Sequence, residues 1–448
     1  MSHGPSSWAR ERIRTLPERH GGKTLVILAV IVAVGFGLRF DRVLNPLDHP
    51  GDDAAAYFSL SKSLYEDQSY GGPSFRDADD WSPGAPLIYA GVYYLTGGVR
   101  DGAARLLLAL LGTAAIVVAY LLGRRINCRP AGLIAAAGVA VYPSFIHTNG
   151  ALLSEPPALF FLPAAVLAFL WAADRNGPWA WALPGVLFGI TALIRPEYLF
   201  VGAAFAVLAL LVVARRSGWR PGFAAGGLLA LAFVLPLLPW VVRNAVVLDR
   251  FVPVSTGRGK ALYVGTYLPA DGDYQRVKAL LVERFQGREL EPGSAALDRV
   301  NPTPLFDRVA ARHPDLERDQ ALSRIGRDQL SDYLGEEPID YGAMLVRKVG
   351  RMWSSGVGPA MSTTLGKIAQ LSLLALALVG LALLAARRRF EALVMALPIA
   401  LITAIGAVTL ASSRRNEILM TLVFPLAGVA LARAGAIVRE RRRRTPIL

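Results

Sequence analysis

Apolar stretches with the character of membrane helices recur from residue 24 to residue 433, and they constrain the fold of this chain more than any other feature. A helix needs about 20 mostly apolar residues to cross the hydrocarbon core of a bilayer. Backbone polar groups must be satisfied internally there, so helices and closed barrels are the spanning structures available. Spans are predicted at Thr24–Leu38, Ala104–Leu122, Ala131–Phe145, Pro157–Ala173, Trp179–Ile194, Tyr198–Ala214 and Phe223–Val242. Three more follow at Ile368–Ala386, Ala392–Leu410 and Ile418–Arg433. The expected class is an all-α polytopic membrane protein with about ten transmembrane helices. Composition agrees, since 18% of the 448 residues are charged, against about 25% in soluble domains.

Charge then orients the spans. Lys and Arg collect on the cytoplasmic side. Arg10, Arg12, Arg14, Arg19 and Lys23 precede the first span, and no small-residue cleavage site follows it, so it reads as a membrane helix with a cytoplasmic N-terminus. Arg124, Arg125 and Arg129 then fall inside, as do Arg215, Arg216 and Arg220, Arg387–Arg389 and the terminal RERRRR. Counting the apolar run Pro86–Leu95 as a crossing would put Arg124, Arg125 and Arg129 outside. That run has about half the length a span needs, so it is predicted to lie at the outer leaflet or dip into it. The net charge of +14 is thereby an orientation signal, and no nucleic-acid partner is expected. A single cysteine, Cys128, excludes a disulfide framework and a Cys-based metal site. No internal repeat is evident, which counts against an inverted-repeat transporter.

Three regions are expected. Residues 1–242 form a transmembrane module whose first external loop runs over 39–101. Residues 243–366 form an extracytoplasmic segment, with helices around Ala321–Leu334 and Tyr341–Trp353. Residues 367–448 form the last helices and a basic cytoplasmic tail. The second of those external helices mixes apolar and basic residues and suits the membrane surface.

The residues that could carry chemistry gather on the external face. Asp52 and Asp53 follow a Pro-Gly turn where a helical pattern starts at Tyr57, Leu60, Ser61 and Leu64. One aspartate suffices to cap that helix, which leaves Asp53 free to face a cleft. Glu155, in LLSEPP, reads equally as the start of a helix with proline in its first turn and as a functional carboxylate. Arg195 and Glu197 flank Pro196 between two spans, and Arg414 and Arg415 occupy a very short external turn. External arginines run against the orientation rule, so an anionic phosphate or carboxylate is the expected partner. Arg243, Arg258 and Lys260 open the long external segment, and Gly257 and Gly259 there permit close approach of a phosphate. Basic residues suited to a lipid phosphate beside carboxylates suited to a proton point to a lipid-phosphate-linked donor.

The order of several motifs resembles the GT-C-fold glycosyltransferases of the protein O-mannosyltransferase and aminoarabinose-transferase group, glycosyltransferase family 39-like. The pieces are GDDAAAYFSLSKSL, SPGAPLIYA, LLSEPPALFFL, GITALIRPEYL, LPWVVRNAVVLDRFVPVST and RRNEILMTLVFPL. The resemblance implies that Asp53, four residues before Tyr57, is the general base, with Asp52 its neighbour. It implies that Glu155 is the acidic residue before the fourth span, and that Arg195 with Arg414 or Arg415 lies near the lipid phosphate. The cavity-lining segment of the first loop corresponds to Trp81-Ser82-Pro83, where some members carry a lysine. The resemblance further implies inversion by single displacement; many members need no metal, and a divalent cation is left open here.

The resulting expectation is a multi-pass protein of the plasma (inner) membrane. It would move a monosaccharide from a polyprenyl-phosphate donor to an extracytoplasmic acceptor, whether glycan, lipid or protein. The alternatives are a lipid-linked sugar flippase, which would bury ionisable residues mid-span, and a non-catalytic envelope-polymer assembly protein.

Overall fold

A computed structural model describes residues 21–47, 52–71, 78–175 and 177–444. Helix α1 (Gly21–Leu44) leads to α2 (Asp52–Glu66), a short turn at Ala78–Asp80 and α3 (Gly84–Thr96). Then come α4 (Asp101–Ile126), α5 (Arg129–Val141), α6 (Pro143–Thr148), α7 (Glu155–Ala172), α8 (Ala182–Ile194), α9 (Tyr198–Ser217), α10 (Trp219–Val234) and α11 (Leu238–Val247). The external segment holds α12 (Arg258–Thr266), α13 (Tyr274–Gln286), α14 (Ala295–Asp298), α15 (Thr303–Ala310), α16 (Arg318–Glu336), α17 (Pro338–Ser354) and α18 (Pro359–Ser362). Helices α19 (Thr364–Arg387), α20 (Arg389–Val408) and α21 (Ser413–Arg444) close the chain, and no strand occurs among the described residues.

Each expected span falls on helix. Among the described residues seven helices are long and apolar enough to cross a membrane: α1, α4, α7, α9, α19, α20 and α21. Helices α10 and α11 pass the same length and composition test only as a pair, bent by 51°, which brings the number to eight if the pair is one span. Pro236 lies in the break, where it has no N–H to give and its ring crowds the preceding turn. Helix α5 and the stretch Pro178–Ile194 are apolar but shorter.

The first loop starts later than expected. Arg39, taken as its first residue, lies inside α1 and is 1% exposed. Its guanidinium donates to the Val139 and Ala140 carbonyls at 2.8 and 2.9 Å. Those are among the last carbonyls of α5, which have no partner within their own helix. A buried arginine here closes a helix end and marks no membrane boundary.

The membrane helices share one continuous apolar core, which includes Ile116, Phe169, Phe205 and Phe424. A second core, with Val264, Val277, Leu297, Phe306 and Leu322, holds α12 to α16 together. A third, built from Tyr57, Tyr89, Tyr93, Leu108 and Leu152, seats the first loop on the bundle. Gly84 sets the closest approach in that seat. A Cβ at this position would come within 2.5 Å of the Ile194 backbone nitrogen, so only glycine lets the start of α3 rest on the end of α8. The predicted helices at Ala321–Leu334 and Tyr341–Trp353 are α16 and α17.

Candidate active site

A cavity of about 880 Å³ opens between the external helices and one end of the membrane bundle. Asp53, Arg195, Glu197, Lys260, Arg414 and Arg415 all line it. The sequence α21 begins with explains how the last helix contributes. Arg414, Arg415, Asn416 and Glu417 are consecutive, and a helix turns about 100° per residue, so the four point in different directions. Arg414 reaches Asp53 and Glu155. Arg415 donates to Thr409 Oγ1 at 2.7 Å and faces Glu197 at 3.8 Å. Asn416 donates to the Met352 and Ser355 carbonyls at the end of α17. Glu417 accepts from Thr148 Oγ1 of α6 at 2.9 Å.

Glu155 anchors the floor. It is fully buried, and both carboxylate oxygens are engaged. Oε1 accepts from Arg195 at 2.9 Å and from Arg414 Nε at 2.5 Å, and Oε2 accepts from Arg414 at 2.9 Å. Ser154, at the cap position of α7, makes no side-chain cap bond. Its hydroxyl instead accepts from Arg195 at 3.2 Å. Glu155 therefore does both things expected of it: it opens α7 with proline in the first turn, and its carboxylate binds two arginines.

Arg195 sits in the link between α8 and α9, where Pro196 prevents helix from continuing, and its Nε donates to Glu197 at 3.0 Å. Carboxylates and guanidiniums thus alternate across the floor, in the order Asp53, Arg414, Glu155, Arg195, Glu197, Arg415. Burial opposes the charge of Arg195, but Glu197 and Glu155 outweigh it and raise its pKa. Burial likewise works against the Glu197 carboxylate, while Arg195 and Arg415 hold it below the ordinary carboxylate range. Burial, then the charge of Glu155, pushes the Tyr57 phenol up to about 12, so it keeps its proton. Asp53 is the accessible carboxylate of the chain of pairs, with 39% of its side chain exposed.

The other expected residues divide. Tyr57 and Trp81 line the cavity with their rings edge to face at 5.2 Å. Pro83 is buried at the start of α3 and lies outside the lining. Lys260 reaches the cavity wall 5.8 Å from the Phe306 ring centroid. Arg243 and Arg258 do not line the cavity. Arg243 is bound to Asp79 at 2.5 Å and lies over the Trp240 and Tyr70 rings. The side chain of Asp52 lies outside the described residues. The glycines near α12 also serve differently than expected. The amides of Gly257 and Gly259 donate to the carboxylates of Asp80 and Asp319, at 3.3 and 2.6 Å. Asp80 and Asp319 line the cavity and were missed; the run DADDW in the first loop was the available signal for Asp80.

The expectation of a possible divalent cation involved Asp52, whose side chain lies outside the described residues. Arg414 already bridges Asp53 and Glu155, and among the described residues no group of three or more His, Cys, Asp or Glu side chains is placed to hold a metal ion.

Residues 80–240 match the model of the dolichyl-phosphate-mannose-protein mannosyltransferase family. The archaeal oligosaccharyltransferase AglB from Archaeoglobus fulgidus, solved with an inhibitory peptide and a dolichol-phosphate, superposes over 99% of this chain and 53% of its own, with TM-score 0.54 and 15% identity. The chain has the GT-C fold of membrane glycosyltransferases. The apo form of the Archaeoglobus fulgidus oligosaccharyltransferase gives TM-score 0.56 at 16% identity, over 94% of the GT-C chain described here and 51% of the other. The chain thus spans about half the length of these structures. ArnT from Cupriavidus metallidurans bound to undecaprenyl phosphate is also similar, with TM-score 0.38, 14% identity and coverage of 92% and 78%, too loose a likeness to carry an argument. No curated protein matches the GT-C chain by sequence. What the likeness settles is the fold of a multi-pass membrane protein.

Proposed function

We propose that this protein transfers a monosaccharide from a polyprenyl-phosphate donor to an acceptor hydroxyl or amine on the extracytoplasmic side of the plasma membrane. The observation that carries the proposal is one exposed carboxylate, Asp53, set beside a floor of three arginines at the end of a membrane bundle. Arg195, Arg414 and Arg415 offer planar hydrogen-bond forks to a phosphate monoester or diester. Glu155 and Glu197 hold those forks in place. Glu155 is saturated by its partners, so its role in this reading is to position the arginines.

Donor binding would draw Arg414 toward the lipid phosphate and release Asp53 to face the acceptor. Asp53 then accepts the proton of the acceptor. The acceptor oxygen or nitrogen attacks the anomeric carbon from the face opposite the phosphate. The bond between that carbon and the phosphate oxygen breaks, the electron pair leaves with the phosphate, and configuration inverts. Arginines preorganised at the leaving group stabilise charge as it develops, and proton removal by Asp53 adds to the rate. No step calls on a metal.

The experiment is turnover by purified protein in nanodiscs with a panel of short-chain polyprenyl-phosphate sugars. Released polyprenyl phosphate is followed by mass spectrometry, with wild type beside Asp53→Asn. Release that depends on Asp53 supports the proposal. Donor binding without release, or release that is equal in the variant, would move the reading to a lipid-sugar transporter or an assembly protein.

A further inference from the structure

A second cavity, of about 830 Å³, lies at the other end of the bundle. Its place is fixed by α7, which starts at the active-site floor with Glu155 and lines this cavity with Leu167 and Trp171. Sixteen residues of helix separate Glu155 from Trp171, roughly 24 Å at 1.5 Å per residue. The two cavities therefore lie in opposite leaflets. The wall is apolar, made by Leu121 of α4, Leu167 and Trp171 of α7, and Leu183 and Leu187 of α8. Leu121, Trp171 and Leu183 remain exposed, so the slot is open and accessible to a hydrocarbon chain.

The mouth is basic. Arg124, Arg125 and Arg388 line it. Two carboxylates face these three arginines. Asp174 binds Arg125 at 2.8 Å, and Glu391 faces Arg125 at 3.1 Å and Arg388 at 3.8 Å. The excess of positive charge sits at headgroup depth, directly above an apolar slot. That combination matches one class of molecule: an anionic headgroup over hydrocarbon chains. The volume falls in the roughly 300–1,000 Å³ range of built small-molecule sites.

We propose that this cavity is a binding site for an anionic glycerophospholipid of the leaflet opposite the active site. Its headgroup phosphate lies between Arg124 and Arg388, and its acyl chain lies along Leu183 and Leu187. Arg125 stays with Asp174 and Glu391 and ties α4, the turn after α7 and α20 together beneath the headgroup. The lipid would thereby couple the three helix ends on that side. The site is independent of the proposed sugar transfer and stands if that reading fails.

The test is lipid retention by native mass spectrometry on protein exchanged into micelles with equal phosphatidylglycerol and phosphatidylcholine. Wild type is expected to keep one phosphatidylglycerol selectively and to gain thermal stability from it. Replacing both Arg124 and Arg388 by glutamine should weaken retention roughly 30-fold, at about fivefold per basic group near the headgroup. Leu183→Trp fills the slot from a lipid-exposed position without touching a charge, and should also lose the lipid; it decides the matter if the arginine variant is unstable. Equal retention of phosphatidylcholine, or unchanged retention in the variants, overturns the proposal. So does selective displacement of phosphatidylglycerol by an added long-chain polyprenyl phosphate, which would make this a donor site.

Discussion

Arg414 on the last membrane helix is ion-paired with Asp53 of the first loop, across 361 residues of sequence. The proposed base and the proposed phosphate-binding arginine are therefore each other's partners. The same guanidinium also holds Glu155. One side chain thus joins the two ends of the chain over the N-terminus of α7.

Asp53→Asn keeps an oxygen for Arg414 and removes the ability to take a proton. Turnover should fall roughly 10²- to 10⁴-fold, while donor binding stays within a few-fold. The check is kcat against donor Kd in the same nanodisc preparation. A variant that loses binding and keeps kcat would assign Asp53 to donor recognition.

Glu155→Gln removes the negative charge that Arg195 and Arg414 share. Arg195 and Arg414, 14% and 32% exposed, then keep Glu197 and Asp53 as their carboxylates. Breaking a fully buried pair costs about 3–5 kcal/mol, and solvent at the partly exposed guanidiniums reduces that to about 1–3 kcal/mol. The expected outcome is a lowered thermal unfolding midpoint in detergent. Glu66→Gln, which breaks the exposed Lys62–Glu66 pair at 3.7 Å, is the control and should cost under about 0.5 kcal/mol.

Lys348 gives a pH signature. It lies fully buried on the inner face of α17 and donates to the carbonyls of Gly265 and Ala407, both at 2.6 Å. A neutral amine still has two hydrogens for those two carbonyls. Burial, then the charges of Arg351 and Arg415, lowers its pKa from 10.5 to about 7. Between those two values the unfolded chain carries a proton that the folded chain lacks, so stability rises with pH across that window. Lys348→Met should lower the slope of stability against pH by about 1.4 kcal/mol per unit there. Equilibrium unfolding from pH 7 to pH 10 measures it, and an unchanged slope would mean Lys348 stays charged in the fold.

Gly259→Ala tests the seat of the external helices. A Cβ at Gly259 would overlap the Asp319 carbonyl oxygen, which is backbone and has no rotamer to change. Helix α16 must shift, at about 1–3 kcal/mol. The cavity wall formed by Asp319 and Arg318 moves with it, so acceptor KM should rise more than donor KM. Equal effects on both would show that the wall does not meet the acceptor.

The membrane helices were legible because hydrophobicity is written locally, residue by residue. Asp53 drew notice through its place after a turn, a short-range fact, and through the spacing to Tyr57 that the family resemblance implies; that it lines the cavity is seen only in the fold. Arg39 misled because a charge at the end of an apolar run reads as a boundary, and only the tertiary fold reveals the α5 carbonyls that receive it. Arg243 misled for the same reason, since its partner Asp79 is 164 residues away. Glu155 was visible, but that both its oxygens are taken by Arg195 and Arg414 is a property of three distant segments meeting. Asp80 and Asp319 went unread because each is an ordinary loop or helix-start aspartate until α12 is packed against it.

Helix α7 is only 18 residues long, about 27 Å, slightly less than the roughly 30 Å of a typical hydrocarbon core. It begins with the carboxylate that fixes two arginines and ends beside a basic lipid-facing mouth. A thicker bilayer cannot be matched by tilting a helix that is already short; it must thin locally or draw the arginine floor beneath the headgroups. On the proposed reading, the length of α7 would make the floor sensitive to the thickness of the membrane around it. The protein's turnover should vary with acyl-chain length even where every residue and every substrate is unchanged.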